Sequence, residues 1–332
     1  LIALQLAKIA PARNLFVRAI NTSQAMPASY VNAAIADTQL GKSQSALKIL
    51  LAGLEKFPNH PELVEASVLL GVNSNWPEKA LRISLLALEN SPNDPKLLEL
   101  AGLAHKGFGN LPEAINVLER ATLLSREPKL QRELSLLYAF TNQSELALSA
   151  ARKALASDPN DPLNSFTLAF RESENGNFSA ACTYFQKSLN NEGTACEALR
   201  VLGALTKDPA KDQINSKADA LASVAKTDRD RGHLCMAKYN AEVKSSPSTS
   251  IPHLIEANQY YARDRFYDVQ EDTYYHEKIL HEFDAANWIA PTANPSRTTP
   301  IFVLGMIRSG TTLMDRLLSA SSQVNSLGEV AV

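Results

Sequence analysis

The stretch SPNDPKLLELAGLAHKGFGNLPEAINVLERATLL, residues 91–124, holds one complete unit of a repeated pattern. Pro95 suits the first turn of a helix, where its missing N–H would have no partner anyway. The break KGFGNLPEA interrupts the apolar run, and Gly109 can take the positive φ that turns the chain back. Ala114 follows nineteen residues after the proline and is small enough for two helix backbones to approach closely. The stretch therefore predicts two packed helices.

The pattern returns along the chain at a nearly constant spacing. Its prolines are separated by 34, 34, 33 and 34 residues: Pro27, Pro61, Pro95, Pro128 and Pro162. Nineteen residues after each proline comes an alanine: Ala46, Ala80, Ala114, Ala147 and Ala181. Four residues further on comes a second packing position: Leu50, Ser84, Leu118, Ala151 and Phe185. One helix pair cannot bury its own apolar face, so neighbouring pairs must stack into a solenoid.

This pattern resembles the tetratricopeptide (TPR) family, in which each repeat is two antiparallel helices. Five clear repeats are expected over residues 27–195, with a partial repeat over 1–26 and further helices of weaker periodicity over 196–265. We therefore assign residues 1–265 to an α-helical TPR-like solenoid. Gly176, in the break ENGNFSAA, is expected to take a positive φ as Gly109 does.

The inner face of such a solenoid is a candidate surface for a protein partner, although a dimerisation surface or a passive scaffold is also consistent with the repeats. Their charges alternate in sign from repeat to repeat, which names no ligand and is equally typical of a solvated polar face. The residues expected on the inner face are Glu62, Glu65, Lys96, Glu99, Lys129, Arg132, Phe166 and Phe170.

Composition excludes several classes of function. The 332 residues are 45% hydrophobic and 20% charged, with a formal net charge of −2, which gives no support to a nucleic-acid or membrane-surface role. Three cysteines without CxxC spacing favour a reducing compartment, and so we expect a cytoplasmic protein without disulfides or zinc. No apolar run reaches the roughly 18 residues that span a bilayer.

Residues 266–299 are expected to form a helix and a linker, because APTANPSRTTP (290–300) is rich in proline, threonine and serine. The segment HEKILH differs from the zinc-protease motif HExxH. His276 and His281 are five residues apart, so on a helix they point about 140° away from each other. A metal site is therefore not expected here.

The segment GMIRSGTTL, residues 305–313, has the spacing of a phosphate-binding loop, but Thr311 stands where nucleotide triphosphatases have lysine. An apolar run, 300–304, precedes it and is expected to be a buried strand. The segment TTLMDRLLSA follows and is expected to be a helix, with Leu313, Leu317 and Ala320 on one face. Backbone N–H groups at the start of that helix would face an anion.

The missing lysine favours a ligand with less charge than a nucleoside triphosphate. Triphosphatases neutralise the β- and γ-phosphates with lysine and Mg²⁺. A phosphosulfate carries less charge, so one arginine with hydroxyls and amides could suffice without a metal. Arg308 supplies that fixed charge in a forked geometry that suits tetrahedral oxyanions.

PIFVLGMIRSGTTLMDRLLSASSQVNSLGE resembles the first strand, loop and helix of the PAPS-dependent sulfotransferases (PAPS is 3′-phosphoadenylyl sulfate). The likeness is to the branch with the tyrosylprotein sulfotransferases and their TPR-bearing bacterial relatives, whose loop reads PRSGTTL; here Ile307 replaces the proline. It implies an α/β P-loop sulfotransferase domain that begins at residue 300. It also implies that the 5′-phosphosulfate is bound by five residues: Arg308, Ser309, Gly310, Thr311 and Thr312.

The same resemblance implies the catalytic groups. Glu329, in SLGE, lies 21 residues after Arg308 and is the only carboxylate beyond Asp315. It matches the family's catalytic base, while Arg308 would stabilise the charge on the leaving phosphate oxygen. Asp315 is expected to face solvent. The acceptor implied by the branch is a protein tyrosine, with carbohydrate and small-molecule hydroxyls left open.

Two other interpretations remain open: a P-loop kinase or NTPase, and a TPR scaffold with a vestigial loop. The family's 3′-phosphate site and later strands would lie beyond residue 332. One strand and one helix cannot bury a core. We therefore expect the sulfotransferase domain to be C-terminally truncated here, and residues 1–332 alone to be inactive.

Overall fold

The computed structural model describes residues 9–74, 76–205, 211–264 and 311–321, together with Thr273, His276, Glu277, Leu280, Ile301, Val303, Gln323 and Val324. These residues contain sixteen α-helices and no strand. The chain divides into two units, Leu1–Tyr261 and Ala262–Val332.

The first unit begins with α1 (Ile9–Ile20) and continues with the five expected helix pairs. The first helices of the pairs are α2 (Pro27–Gln39), α4 (Pro61–Asn73), α6 (Pro95–Phe108), α8 (Pro128–Phe140) and α10 (Pro162–Glu174). The second helices are α3 (Ser43–Lys56), α5 (Pro77–Asn90), α7 (Leu111–Leu124), α9 (Ser144–Ser157) and α11 (Phe178–Ser188). Four more follow: α12 (Ala195–Leu205), α13 (Lys211–Ala222), α14 (Asp228–Glu242) and α15 (Pro247–Asp264).

The repeat register predicted from the sequence is confirmed at every marker residue. Each of the five prolines is the first residue of its helix, where it needs no intrahelical hydrogen bond. The five alanines are no more than 1% exposed, and so are the residues four positions after them. The register also reaches α1, because Ala12 stands 34 residues before Ala46 and is 1% exposed.

The turn inside each repeat is closed by one recurring hydrogen bond. In the third repeat the N–H of Asn110 donates to the carbonyl of His105 at 2.9 Å, a bond that satisfies an otherwise unpaired helix carbonyl. Gly109 and Gly176 have φ values of 90° and 78°, as predicted. Asn142 takes the equivalent position in the fourth repeat with φ 58°, a conformation that asparagine tolerates better than most residues.

The helix pairs stack into a TPR-like solenoid. The first helices of neighbouring repeats contact each other, as α4 contacts both α2 and α6. Each second helix instead packs against the first helices on its two sides. The first helices therefore line the inner face of the solenoid, and the second helices form its outer face.

The strict pair order ends after the fifth repeat. Helix α12 packs mainly on α14 rather than on its chain neighbour α13. Gly203 permits this approach, because a Cβ there would come within 2.5 Å of the carbonyl oxygen of Ala237. The weak periodicity of residues 196–265 thus corresponds to helices with a different packing order.

A buried carboxylate joins α1 to the first repeat. The side chain of Asp37 is 0% exposed and accepts hydrogen bonds from Arg13 Nε at 2.7 Å and Ser45 Oγ at 2.5 Å. Burial opposes ionisation of Asp37, but these hydrogen bonds and the charges of Arg13 and Lys42 outweigh burial and lower its pKa. The ionised carboxylate is therefore the form that stabilises the fold.

Replacing Asp37 by asparagine should lower the free energy of unfolding by about 2 kcal/mol at pH 7, since a charged hydrogen-bond acceptor is lost. Because the pKa of Asp37 is lower in the folded chain, its contribution is complete above about pH 5. It is lost as the pH falls below the unfolded value of about 4 and through the folded value. Urea denaturation at pH 7 and pH 3 measures both effects. The exposed Glu89 offers a control, and an equal loss in Glu89→Gln would refute the assignment.

The second unit contains α16 (Thr311–Ser319) among its described residues. The sequence predicted a strand just before the loop, and the structure describes only Ile301 and Val303 of that run. Neither is in a strand. A strand is formed by pairing with another, and the described part of the chain offers no second strand.

Candidate functional site

Most of the predicted phosphosulfate loop lies outside the described residues. This applies to the loop glycines and to Arg308, Ser309 and Glu329, whose roles stay predictions. Thr311 is the first residue of α16 and Thr312 the second, so a helix follows the loop as the spacing predicted. The first N–H groups of a helix have no intrahelical partner and can receive an anion.

Two of the three residues predicted for one apolar face, Leu313 and Leu317, lie on helix α16, whereas Ala320 follows its last residue. Leu313 is 64% exposed, Leu317 is 61% exposed, and Met314 between them is 49% exposed. Asp315 is half-buried rather than fully solvent-facing, and its carbonyl accepts a hydrogen bond from Ser319 Oγ at 2.6 Å.

Four of the six charges predicted for the inner face of the repeats pair with one another. Lys96 Nζ lies 2.9 Å from Glu65 Oε1 on the preceding first helix and 3.4 Å from Glu99 Oε2 on its own helix. Glu99 also pairs with Lys129 on the following first helix, although its side chain is only 4% exposed. These four residues, which we call the ion-pair ladder, link α4, α6 and α8.

The other two predicted charges, Arg132 and Glu62, lie outside the ion-pair ladder. Arg132 Nη1 lies 2.8 Å from Asp161 Oδ2 and 2.5 Å from Asn164 Oδ1, and these contacts join α8 to α10. Glu62 is an exposed acid in the first turn of α4, where the helix dipole favours negative charge. The opposite charges on adjacent repeats thus stabilise the stacking of the first helices.

At the fifth repeat, the residues predicted for the inner face are aromatic and not charged. Phe166 and Phe170 are partly buried, with ring centroids 4.9 Å apart and an interplanar angle of 79°. Both meet Phe185 of α11 edge to face, at 6.0 and 5.1 Å. This arrangement suits the positive edge and negative face of aromatic rings.

The cysteines and histidines of the described residues do not form a reactive centre. The three cysteines are free, and burial raises the pKa values of Cys196 and Cys235 to about 11, so both thiols are protonated at neutral pH. Burial lowers the pKa of His105. No group of three His, Cys, Asp or Glu residues in the described ranges could hold a metal ion.

Comparison with known proteins finds a different similarity for each of the two units. Residues 300–332 match the family model described as the sulfotransferase family. The curated proteins gave no match. The repeats are similar in fold to TPR structures at 18% identity. One is a thermophilic TPR protein of Thermus thermophilus (TM-score 0.46; 54% of this chain and 98% of that chain covered).

Two further structures have the same identity of 18%. One is the C-terminal part of a TPR repeat-containing protein of Cytophaga hutchinsonii, with TM-score 0.46 and coverage of 76% of this chain and 97% of that chain. The other is pilF of Pseudomonas aeruginosa, with TM-score 0.48 and coverage of 71% and 97%. Within the described residues, no helix combines the length and apolarity that crossing a membrane would require.

Proposed function

We propose that this protein is a sulfotransferase that transfers a sulfuryl group from PAPS to a tyrosine hydroxyl of a protein acceptor. The loop GMIRSGTTL carries the proposal, because it lies within the segment that matches the sulfotransferase family. The start of α16 at Thr311 supports it, because the free N–H groups of a helix start suit an anionic donor.

The residues proposed to hold the donor divide into charged and neutral groups. Arg308 supplies positive charge to the phosphosulfate, and Gly310 lets the ligand approach the backbone. Ser309, Thr311 and Thr312 supply hydroxyl hydrogen bonds. Without the lysine of the triphosphatases, these groups suit a less charged ligand and require no metal.

When bound, PAPS supplies the sulfuryl group and leaves as 3′-phosphoadenosine 5′-phosphate. Glu329 accepts the proton of the acceptor hydroxyl, and the oxygen forms its bond to sulfur as the bond from sulfur to the phosphate oxygen breaks. Arg308 stabilises the charge that builds up on that leaving oxygen. The transferred proton ends on Glu329, and the product is a sulfate ester.

The repeats are proposed to position a polypeptide acceptor or a second subunit. TPR-like architecture is compatible with this role but does not require it. The proposed enzyme activity is therefore tested by nucleotide binding at the loop and not by binding to the repeats.

Replacing Arg308 by alanine in the intact protein should weaken binding of 3′-phosphoadenosine 5′-phosphate roughly 50-fold, because a charged hydrogen-bond donor is lost. Isothermal titration calorimetry without Mg²⁺ measures the affinity. Arg308→Lys keeps the positive charge but loses the forked guanidinium. Its affinity should lie between those of the unchanged protein and Arg308→Ala. Unchanged affinity in Arg308→Ala would refute the proposed site.

The same titration separates the competing functions. Binding that requires Mg²⁺ and prefers ATP would establish a kinase or NTPase loop. Absence of any nucleotide binding by the intact protein would leave the repeats as a scaffold with a vestigial loop. Either result would contradict the sulfotransferase proposal.

A further inference from the structure

A cavity of about 710 Å³ lies between the first two repeats and opens to solvent. Its walls come from the turn of the first repeat with the start of α3, and from the turn of the second repeat with the end of α4. Ligand cavities in proteins have volumes of about 300–1,000 Å³. The cavity between the repeats is therefore large enough for a molecule the size of a nucleotide.

Positive charge lines this cavity without a carboxylate partner. Lys42 and Lys48 are both exposed lining residues, and within the described part of the chain neither forms an ion pair. Lysines elsewhere in the repeats do, as Lys106 does with Glu133 at 2.8 Å. None of the described residues that line the cavity is an aspartate or a glutamate. An anion can therefore approach both lysines without breaking an existing ion pair.

The buried carboxylate of Asp37 is compensated inside the protein. It accepts hydrogen bonds from Arg13 Nε at 2.7 Å and from Ser45 Oγ at 2.5 Å. Lys42 acts on Asp37 only through its charge, since Arg13 is the cation that contacts the carboxylate. The pair of Arg13 and Asp37 thus leaves the charges of Lys42 and Lys48 to a ligand.

The lining also offers neutral hydrogen-bonding groups. Ser43 and Gln44 begin helix α3, and the first N–H groups of a helix have no intrahelical partner. The side-chain amide of Asn73, the last residue of α4, lines the opposite wall. Amide and hydroxyl side chains both donate and accept hydrogen bonds, so they suit a ligand with several hydroxyl groups or ring nitrogens.

An aromatic ring completes the wall formed by the second repeat. Trp76 packs in part against the core cluster of the first repeat and is half-buried. It is also a lining residue of the cavity. Lys79 Nζ lies 5.6 Å from the centre of the Trp76 ring and adds positive charge on that side. Nucleic-acid bases stack favourably on aromatic side chains.

We propose that this cavity binds a nucleoside monophosphate, with the phosphate at Lys42 and Lys48 and the base against Trp76. A phosphate monoester carries about 1.5–2 negative charges at pH 7, which two lysines neutralise. The lining residues all belong to the first unit of the chain. The site is therefore additional to the loop at residues 305–313 and does not depend on its proposed function.

The test uses the fluorescence of Trp76 in the intact protein. The chain has two tryptophans, so the variant Trp288→Phe leaves Trp76 as the only one. Adenosine 5′-monophosphate should change its fluorescence in a saturable way. Absence of a saturable change would overturn the proposal.

Two fragments of the ligand test the phosphate and the base separately. Adenosine lacks the phosphate and ribose 5-phosphate lacks the base. In competition with adenosine 5′-monophosphate, each should bind at least about tenfold more weakly than the intact nucleotide. Equal binding of either fragment would overturn the part assigned to the missing group, and with it the proposed ligand.

Lysine variants locate the phosphate. Lys48→Ala should weaken binding about tenfold, because a charged hydrogen-bond donor is lost, and Lys42→Ala should act in the same direction. Lys153→Ala is the matched control, since Lys153 is an exposed lysine of α9 without an ion pair among the described residues. Circular dichroism checks that each variant folds. Unchanged affinity in both cavity variants, or an equal loss in Lys153→Ala, would overturn the assignment.

A last variant separates the cavity from the loop. Arg308→Ala should leave the Trp76 signal and the affinity for adenosine 5′-monophosphate unchanged, whether or not the loop binds a nucleotide. Loss of the signal in Arg308→Ala would place the nucleotide at the loop and overturn the assignment to the cavity.

Discussion

Replacing Phe185 by alanine should lower the free energy of unfolding by about 4 kcal/mol, the largest stability change we expect in the repeats. The side chain is 0% exposed and belongs to a core cluster with residues of α10, α12, α13 and α14. Alanine would leave a cavity between these helices and remove both edge-to-face contacts with Phe166 and Phe170. The ring thus belongs to the buried cluster that joins the last regular repeat to α12.

Urea denaturation followed by circular dichroism measures the loss. Phe178 is a matched control, because it lies on the same helix and is 53% exposed. Phe178→Ala should change the stability by less than about 1 kcal/mol. If the two variants were equally stable, Phe185 would not be the residue that joins the repeats to the helices after them.

Replacing Glu329 by glutamine should reduce turnover about 1000-fold, the largest expected effect on activity, because the proposed base could no longer accept the proton. Glutamine has nearly the same shape as glutamate, so binding of 3′-phosphoadenosine 5′-phosphate should be unchanged. The measurement is the rate of sulfate transfer from labelled PAPS to a tyrosine-containing peptide by the intact protein.

Asp315→Asn is the control for this experiment. Asp315 is the carboxylate nearest to Glu329 in sequence, but it lies within helix α16 and has no proposed catalytic role. It should retain the rate of the unchanged protein. A near-normal rate in Glu329→Gln would remove Glu329 as the base. Loss of donor binding together with rate would instead assign Glu329 a structural role in the loop.

The repeat fold could be predicted in detail because its markers are local. A proline at a helix start and an alanine at a helix crossing act through their own backbone and size. Pro95 and Ala114 therefore identified a helix pair without knowledge of the neighbours. The positive φ of Asn142 in the equivalent turn could not be predicted with the same certainty, because asparagine adopts this conformation less readily than glycine.

The pairing of the inner-face charges could not be predicted in the same way. Whether Glu99 faces a ligand, solvent or Lys129 depends on the distance between two helices thirty residues apart in sequence. The alternation of sign between repeats was visible, but only the stacking geometry shows that it joins α4, α6 and α8.

The packing order of helices α12–α15 is a third feature that the sequence could not predict. Their helical character followed from composition and spacing, but the preference of α12 for α14 over α13 did not. That preference depends on Gly203, whose missing side chain admits the backbone of Ala237. A single glycine in a helix is compatible with many packing orders, so sequence spacing alone could not select this one.

The shared carboxylate of Glu99 should make the solenoid resist opening between α6 and α8. Opening the inner curve between α6 and α8 would pull Lys129 away and leave a nearly buried negative charge with one cation instead of two. Bending at this joint therefore costs electrostatic energy, which salt in the solvent screens in part because the side chains of both lysines are 47% exposed. This joint should therefore open more readily as the ionic strength rises.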